Sequence, residues 1–321
     1  MRALPNPLVI AHRGASGERP EHTRTAYELA IDQGADVIEP DLVMTRDGHL
    51  VVRHENEIGG TTDVADHPRF ADRRTTRTID GQPVTGWFTE DCTLAEIQTL
   101  RARERLPDLR PANTAFDGQE PILTFDDVIA IARDASRRTG RRIAIAPELK
   151  HPSHFAALGL PMENAFVATL QRHGLTGPDA PVLIQCFEVG ALERLAARID
   201  APLLQLVAAA GGPVDRPDLS YAAMLTPDGL NAVSRYARWI GAEASLIEAD
   251  DGGRTSLIAD AHAAGLKVAV WTLRAENAFL PPLDRRSDSP AAYGDLAARF
   301  TRLSAQGVDA VFTDHPAALG R

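Results

Sequence analysis

Short apolar runs alternate with longer stretches of helical periodicity along most of the chain, the pattern of successive parallel βα units. Strands are expected over residues 8–12, 37–41, 142–148, 182–185, 203–207, 239–241, 268–271 and 310–313. Residues 49–54 follow the second run so closely that they read as a strand paired to it in a hairpin. Helices are expected over 23–33, 125–138, 164–172, 190–198, 226–236, 255–264 and 291–305. Eight strands with helices between them close into a (β/α)8 TIM barrel, and no glycine-rich dinucleotide fingerprint follows any strand to favour an open doubly wound sheet. The rhythm fails over residues 56–117, which are rich in Thr, Asp, Arg and Gly, with one helical piece near 94–101. Because Trp87, Phe88 and Leu94 give this stretch something to bury, it is expected to be a small subdomain capping the mouth of a single barrel domain spanning 1–321.

Composition changes this picture little. Of 321 residues 44% are hydrophobic and 24% charged, enough to bury a large core without staples. The net charge of -10 comes with no long basic run, which argues against nucleic acid or an anionic membrane as the main partner. Cys92 and Cys186 stand in different contexts and offer neither a disulfide framework nor a zinc cluster. The opening Met1-Arg-Ala-Leu-Pro-Asn-Pro7 lacks the apolar core of a secretory signal, so the chain as written reads as cytoplasmic, or as periplasmic or secreted if an export signal is missing. No run approaches the ~20 apolar residues of an integral membrane segment.

In a barrel, chemistry gathers where strands end at their carboxyl side. There the sequence places His12-Arg13, Glu39 and Asp41, His54-Glu55, and Glu148 with Lys150. Glu39 and Asp41 are two residues apart on an extended segment and so share a side. With Glu148 they form an oxygen-rich set suited to one hard divalent cation, Ca²⁺ or Mg²⁺; the competing reading is a structural ion-pair network with Arg13 and Lys150. His12 and His54 offer a proton acceptor and a proton donor near neutral pH. Arg13 and Lys150 offer donors to a phosphate oxygen. His67, His151 and His262 read as structural. Glu21, next to a helix start, is expected to orient His12 or Arg13; Gln185, Phe187 and Trp271 are further candidates for the substrate pocket. The closing Thr313-Asp-His-Pro316 is given no chemistry.

The sequence resembles the glycerophosphodiester phosphodiesterase family. The resemblance runs through Ile10-Ala-His-Arg-Gly-Ala-Ser16, Pro20-Glu-His-Thr23, Gly34-Ala-Asp-Val-Ile-Glu-Pro-Asp41, Thr45-Arg-Asp-Gly48, Val52-Arg-His-Glu55, Pro147-Glu-Leu-Lys150, Val182-Leu-Ile-Gln-Cys-Phe187, Val270-Trp-Thr272 and Gly307-Val-Asp-Ala-Val-Phe-Thr-Asp314, essentially end to end. It implies a barrel with a segment inserted after the second histidine, a metal on Glu39, Asp41 and Glu148, acid–base work by His12 and His54, and phosphate binding by Arg13 and Lys150. Thr61-Thr-Asp-Val64 and Gly86-Trp-Phe-Thr-Glu-Asp91 are similar to the larger, periplasmic bacterial subgroup. Glu55 and Asn56 depart from the Asp that many members carry after the second histidine. The implied reaction is metal-dependent hydrolysis of small glycerophosphodiesters to glycerol 3-phosphate and an alcohol. A phospholipase acting on lysolipids would call for an exposed apolar rim, and a non-catalytic phosphate-binding barrel would not need both histidines.

Overall fold

The structure is a computed structural model and describes residues 7–248 and 255–320. The opening Met1–Asn6, on which the reading about an export signal rests, lies outside the described residues. The strands are β1 (Leu8–His12), β2 (Val37–Glu39), β3 (Asp41–Met44), β4 (Leu50–Val52), β5 (Thr75–Ile79), β6 (Gln82–Gly86), β7 (Ala144–Ile145), β8 (Glu148–Leu149), β9 (Ile184–Cys186), β10 (Leu203–Val207), β11 (Trp239–Glu243), β12 (Lys267–Leu273) and β13 (Ala310–Thr313). The α-helices are α1 (Arg24–Asp32), α2 (Leu94–Ile97), α3 (Phe125–Thr139), α4 (Pro152–Ala157), α5 (Met162–His173), α6 (Val189–Ala196), α7 (Tyr221–Met224), α8 (Pro227–Val233), α9 (Leu257–Ala263) and α10 (Leu296–Gln306).

Two prolines explain why eight barrel positions are filled by ten of these strands. Pro40 splits β2 from β3 and Pro147 splits β7 from β8, since proline brings no N–H to a ladder. Counting each split pair as one position, the ring runs β1, β2/β3, β7/β8, β9, β10, β11, β12 and β13, and β13 pairs in parallel with β1 to close it. The expected (β/α)8 barrel is therefore the fold. The segment at 49–54 is β4, antiparallel to β3 as a hairpin, and it ends at Val52, two residues before His54. The β5–β6 hairpin and the short helices α4 and α7 were not anticipated. Helix α10 begins five residues later than expected because Asp295 caps it, its side chain accepting from Ala298 N.

Alternation along each strand sorts the side chains into two cores and a site. Ile10, Val37, Ala146, Leu183, Leu204, Leu206, Ala269, Ala310 and Phe312 belong to one buried cluster that fills the barrel. The intervening residues, such as Val9, Ile38, Val270 and Val311, pack outward in a second cluster beneath the helices. Helix α3, for example, seats Phe125, Val128, Ile129, Ala132 and Ala135 there; its start is fixed by a Thr124–Asp127 capping box and its end by left-handed Gly140. Two residues beyond an inward core position the strand is still facing inward, now at the mouth. Thus Ile10 leads to His12, Val37 to Glu39 and Asp41, Ala146 to Glu148 and Lys150, Leu183 to Gln185 and Phe187, and Ala269 to Trp271.

Candidate active site

The parallel registers align these mouth residues across neighbouring strands: His12 pairs with Glu39, Asp41 with Glu148, and Glu148 with Gln185. A cavity of about 400 Å³ opens there, lined by His12, Arg13, Glu39, His54, Glu148, Lys150, Gln185, Phe187, Trp271 and Arg274 among others. Carboxylate oxygens of Glu39, Asp41 and Glu148 all lie within 4.8 Å of one another and are buried. So the structure brings together both histidines, both predicted cations and all three predicted acids.

Three buried carboxylates this close cannot all remain charged without a partner cation. Burial, reinforced by Asp41 and Glu148, pushes the Glu39 carboxyl well above its usual range. Burial likewise pushes Glu148 up to about 7, with Asp41 adding to it against the pull of Lys150. Burial also opposes charge on Asp41, but Lys150, His54 and Arg13 outweigh it and hold Asp41 well below the ordinary aspartate value. Asp41 Oδ1 is nevertheless buried with no hydrogen-bond partner. An unsatisfied oxygen facing two others is what a hard divalent cation would complete, and the all-oxygen donor set fits one.

Each of the two histidines has one ring nitrogen on a carboxylate. His12 Nδ1 lies 2.7 Å from Asp314 Oδ1, and burial with Arg13 nearby pushes its pKa down to about 4. His54 Nδ1 is held by Glu55, while His54 Nε2 accepts from Lys150 Nζ at 3.0 Å. Burial, Arg13 and Lys150 push His54 down to about 3. Glu55 therefore anchors the ring of His54. Lys150 also donates to Glu148 Oε1 at 2.7 Å. Arg13 sits at a left-handed φ of 60°, and its backbone N–H donates to Glu39 Oε2 at 2.8 Å. The following Gly14 has no room for a Cβ, which would meet the Ala26 backbone of α1 at 2.7 Å.

Two sequence expectations need correction, Glu21 as a pocket residue and Asp314 as a residue without chemistry, and the part played by Gln185 becomes more definite. Glu21 is not among the residues lining the cavity, but it does hold Arg13 as expected, accepting from Arg13 Nη1 at 2.9 Å and from Arg105 Nε at 2.7 Å. Gln185 lines the cavity but is 1% exposed, its amide donating to Glu39 Oε1 at 3.0 Å and to Ala146 O at 2.9 Å, so it positions an acid. Asp314, given no chemistry from the sequence, orients His12. Phe187 and Trp271 do meet at the mouth, edge to face with centroids 5.7 Å apart. His67, His151 and His262 face Asp63, Asp80 and Asp309, and none of the three is among the residues lining this cavity.

Sequence reasoning also missed supports that no local pattern singles out. His22 Nε2 lies 2.9 Å from Asp41 Oδ2, with its other nitrogen on the Tyr27 hydroxyl. Arg53 is 1% exposed, and its guanidinium donates to three backbone carbonyls, at Val52, Thr61 and Glu21. From residues 56–117, Arg105 clamps Glu21 and Glu55, and Arg110 donates to Asp314 Oδ2 and Glu276 Oε1, each at 2.6 Å, and to Ser16 O at 2.9 Å. His22 and Asp314 do fall inside motifs that carry the family resemblance, which was the available signal. Arg110→Met would strand two buried carboxylates and is expected to destabilise the fold by about 3–5 kcal/mol, the usual size for breaking a buried ion pair. Denaturant titration checks this; an unchanged midpoint would show that Arg274 alone suffices for Asp314.

A (β/α)8 barrel with buried acids, two carboxylate-bound imidazoles and cations at one mouth defines a hydrolytic class of barrel. Residues 12–318 match the model of the glycerophosphoryl diester phosphodiesterase family. A glycerophosphodiester phosphodiesterase of Arabidopsis thaliana is 36% identical over 98% of this chain and 85% of its own length. One from Haemophilus influenzae is 28% identical over 96% and 87%. Among solved structures, an Oleispira antarctica phosphodiesterase in complex with the product sn-glycerol-3-phosphate superposes with a TM-score of 0.64 at 22% identity, covering 98% of this chain and 95% of its own. A glycerophosphodiester phosphodiesterase from Agrobacterium tumefaciens gives 0.61 at 21%, covering 98% of each chain. The chain belongs to the glycerophosphoryl diester phosphodiesterase family and is an enzyme of that kind. Among the described residues no helix is long and apolar enough to cross a membrane.

Proposed function

We propose that the enzyme hydrolyses small glycerophosphodiesters to glycerol 3-phosphate and an alcohol, with one divalent cation, Ca²⁺ or Mg²⁺, held by Glu39, Asp41 and Glu148. The observation that carries this reading is the convergence of those three acids with His12 and His54 on one cavity. When bound, the cation supplies charge neutralisation at a non-bridging phosphate oxygen. The protein's own residues do the rest. Arg13 and Lys150 hold the phosphate and meet the charge that grows on it. His12 moves its proton at Nε2, since its Nδ1 is taken by Asp314; His54, with Nδ1 on Glu55, does so at Nε2 when Lys150, which donates to that atom in this structure, turns to the phosphate. One accepts the proton of the attacking water or glycerol 2-hydroxyl; the other gives a proton to the alcohol oxygen as its bond to phosphorus breaks. Asp314 and Glu55 steady whichever imidazole becomes charged. Residues 56–117 act in this reading as an inserted cap, since Arg105 and Arg110 reach from it to the supports of both histidines.

The Oleispira protein's product complex supports the same choice of product. Side-by-side assays of glycerophosphocholine and lysophosphatidylcholine test it. Turnover of the first in preference is expected; preferential turnover of the lysolipid would move the assignment to a phospholipase, and turnover of neither to a binding role.

A further inference from the structure

One guanidinium ties a predicted phosphate ligand to a predicted proton carrier, and it belongs to the segment 56–117. Arg105 donates from Nε and Nη2 to the two oxygens of Glu21, each at 2.7 Å, and from Nη1 and Nη2 to the two oxygens of Glu55, at 2.9 and 2.6 Å. Each acid has a second partner at the cavity. Glu21 Oε2 accepts from Arg13 Nη1 at 2.9 Å, and Glu55 Oε1 holds His54 Nδ1. Arg13 and His54 line the cavity, whereas Arg105, Glu21 and Glu55 are not among its lining residues. An unbroken run of hydrogen bonds therefore leads from Arg13 through Glu21, Arg105 and Glu55 to His54.

The planar fork of an arginine suits this place, because one rigid group meets all four carboxylate oxygens. The backbone around it is fixed without the side chain. Arg103 N–H donates to Thr61 O at 2.9 Å, Glu104 N–H to Asp117 Oδ1 at 2.7 Å and Leu106 N–H to Glu104 Oε1 at 2.7 Å. Burial opposes charge on Glu21, but Arg105 and Arg13 outweigh it and hold its carboxyl well below the usual range. With Arg105 removed, Glu21 would keep Arg13 as its one hydrogen-bonding cation among the described residues. A buried carboxylate stripped of one of two cations draws harder on the other, at the expense of a phosphate that needs the same guanidinium. Glu55 would lose the donors that fix its angle, and the His54 ring would turn with it.

We propose that Arg105 is a positioning residue for the hydrolysis: it satisfies Glu21 so that Arg13 is left for the phosphate, and it fixes Glu55 so that His54 keeps the ring angle that proton transfer needs. The inference rests on the hydrolase reading above and adds a residue outside the cavity that serves both binding and proton transfer.

The test compares metal-loaded wild type, Arg105→Ala and Arg105→Lys on glycerophosphocholine, with unfolding midpoints recorded alongside. In Arg105→Ala kcat is expected to fall about 10- to 100-fold, the usual cost of removing the outer support of an active-site group. KM should rise about 3- to 10-fold, the size of one disturbed hydrogen bond. Arg105→Lys, which keeps the charge and loses the fork, should recover KM more than kcat. The Arg105 side chain is 27% exposed, so methylguanidinium can enter the space left by alanine and should restore part of the lost kcat. In a His54→Ala background Arg105→Ala should still raise KM but take no further kcat, because the ring it orients is gone. Unchanged kcat and KM in both Arg105 variants, or the same kcat loss with and without His54, overturns the proposal. Glycerol 3-phosphate is titrated calorimetrically into the same proteins as a readout independent of turnover. Binding weakened by Arg105→Ala supports the Arg13 half even if the wild type hydrolyses nothing, an outcome that sinks the hydrolase reading instead. Equal binding, together with turnover unaffected by either Arg105 variant, removes Arg105 and leaves the hydrolase standing.

Discussion

Chelator-stripped protein is expected to lose turnover to below detection and to regain it on addition of Ca²⁺ or Mg²⁺, with a higher unfolding midpoint in the same step. The stabilising effect follows from mass action: about 2.7 kcal/mol at a hundredfold excess of ion over its Kd. Its pH dependence can be signed. A glutamate lifted from about 4.3 to about 7 keeps a proton in the folded state that the unfolded chain has lost across that window. Its contribution without metal is therefore complete at low pH and disappears as pH rises through about 7. Asp41 and Asp314, held well below the usual carboxylate range, contribute oppositely: present at higher pH and lost only as acid protonates them. The metal-dependent gain in midpoint should therefore grow between pH 5 and 8, as the ion replaces the proton on the acids (roughly the titration span of one such group). Calorimetry in buffers of different ionisation enthalpy should register proton release. A midpoint indifferent to both ions at every pH would detach the acid triad from metal binding.

His12→Ala and His54→Ala are each expected to lower kcat by about 10²–10⁴-fold while KM changes much less. The reason is positional. Both rings line the cavity, yet each is anchored at Nδ1, so alanine removes a proton carrier without removing a phosphate ligand. Asp314→Asn gives a companion measurement, since it keeps the shape but weakens the anchor of His12, and it should reduce kcat less than His12→Ala does. Full turnover in either histidine variant would exclude that ring from proton transfer. The double variant should lose less than the product of the single losses, because the two rings serve one bond exchange.

Much of this arrangement was legible before any coordinates. Alternation alone puts Glu39 and Asp41 on one side, and the barrel rule places His12, Glu148 and Lys150 at the same mouth. What escaped was everything that depends on partners far apart in sequence. Arg110 and Asp314 are 204 positions apart, so nothing local marks either as the support of His12. For Glu21 the sequence offered Arg13 as a partner, but Arg105, 84 positions away, was beyond local reading. The β5–β6 hairpin was missed because its strands are mostly exposed and polar, so they carry no apolar alternation.

Pro40 has an effect that reaches past the strand it divides. A parallel ladder would have a backbone N–H at that position donate to the carbonyl of Ala146, whose own N–H is bonded to Ile38 O. Proline cannot, so Ala146 O is released and accepts the Gln185 amide instead, the same amide that grips Glu39. A missing rung in the sheet thus becomes the peg on which an acid's orientation hangs, and the flaw in regular pairing is what lets a third strand reach into the site.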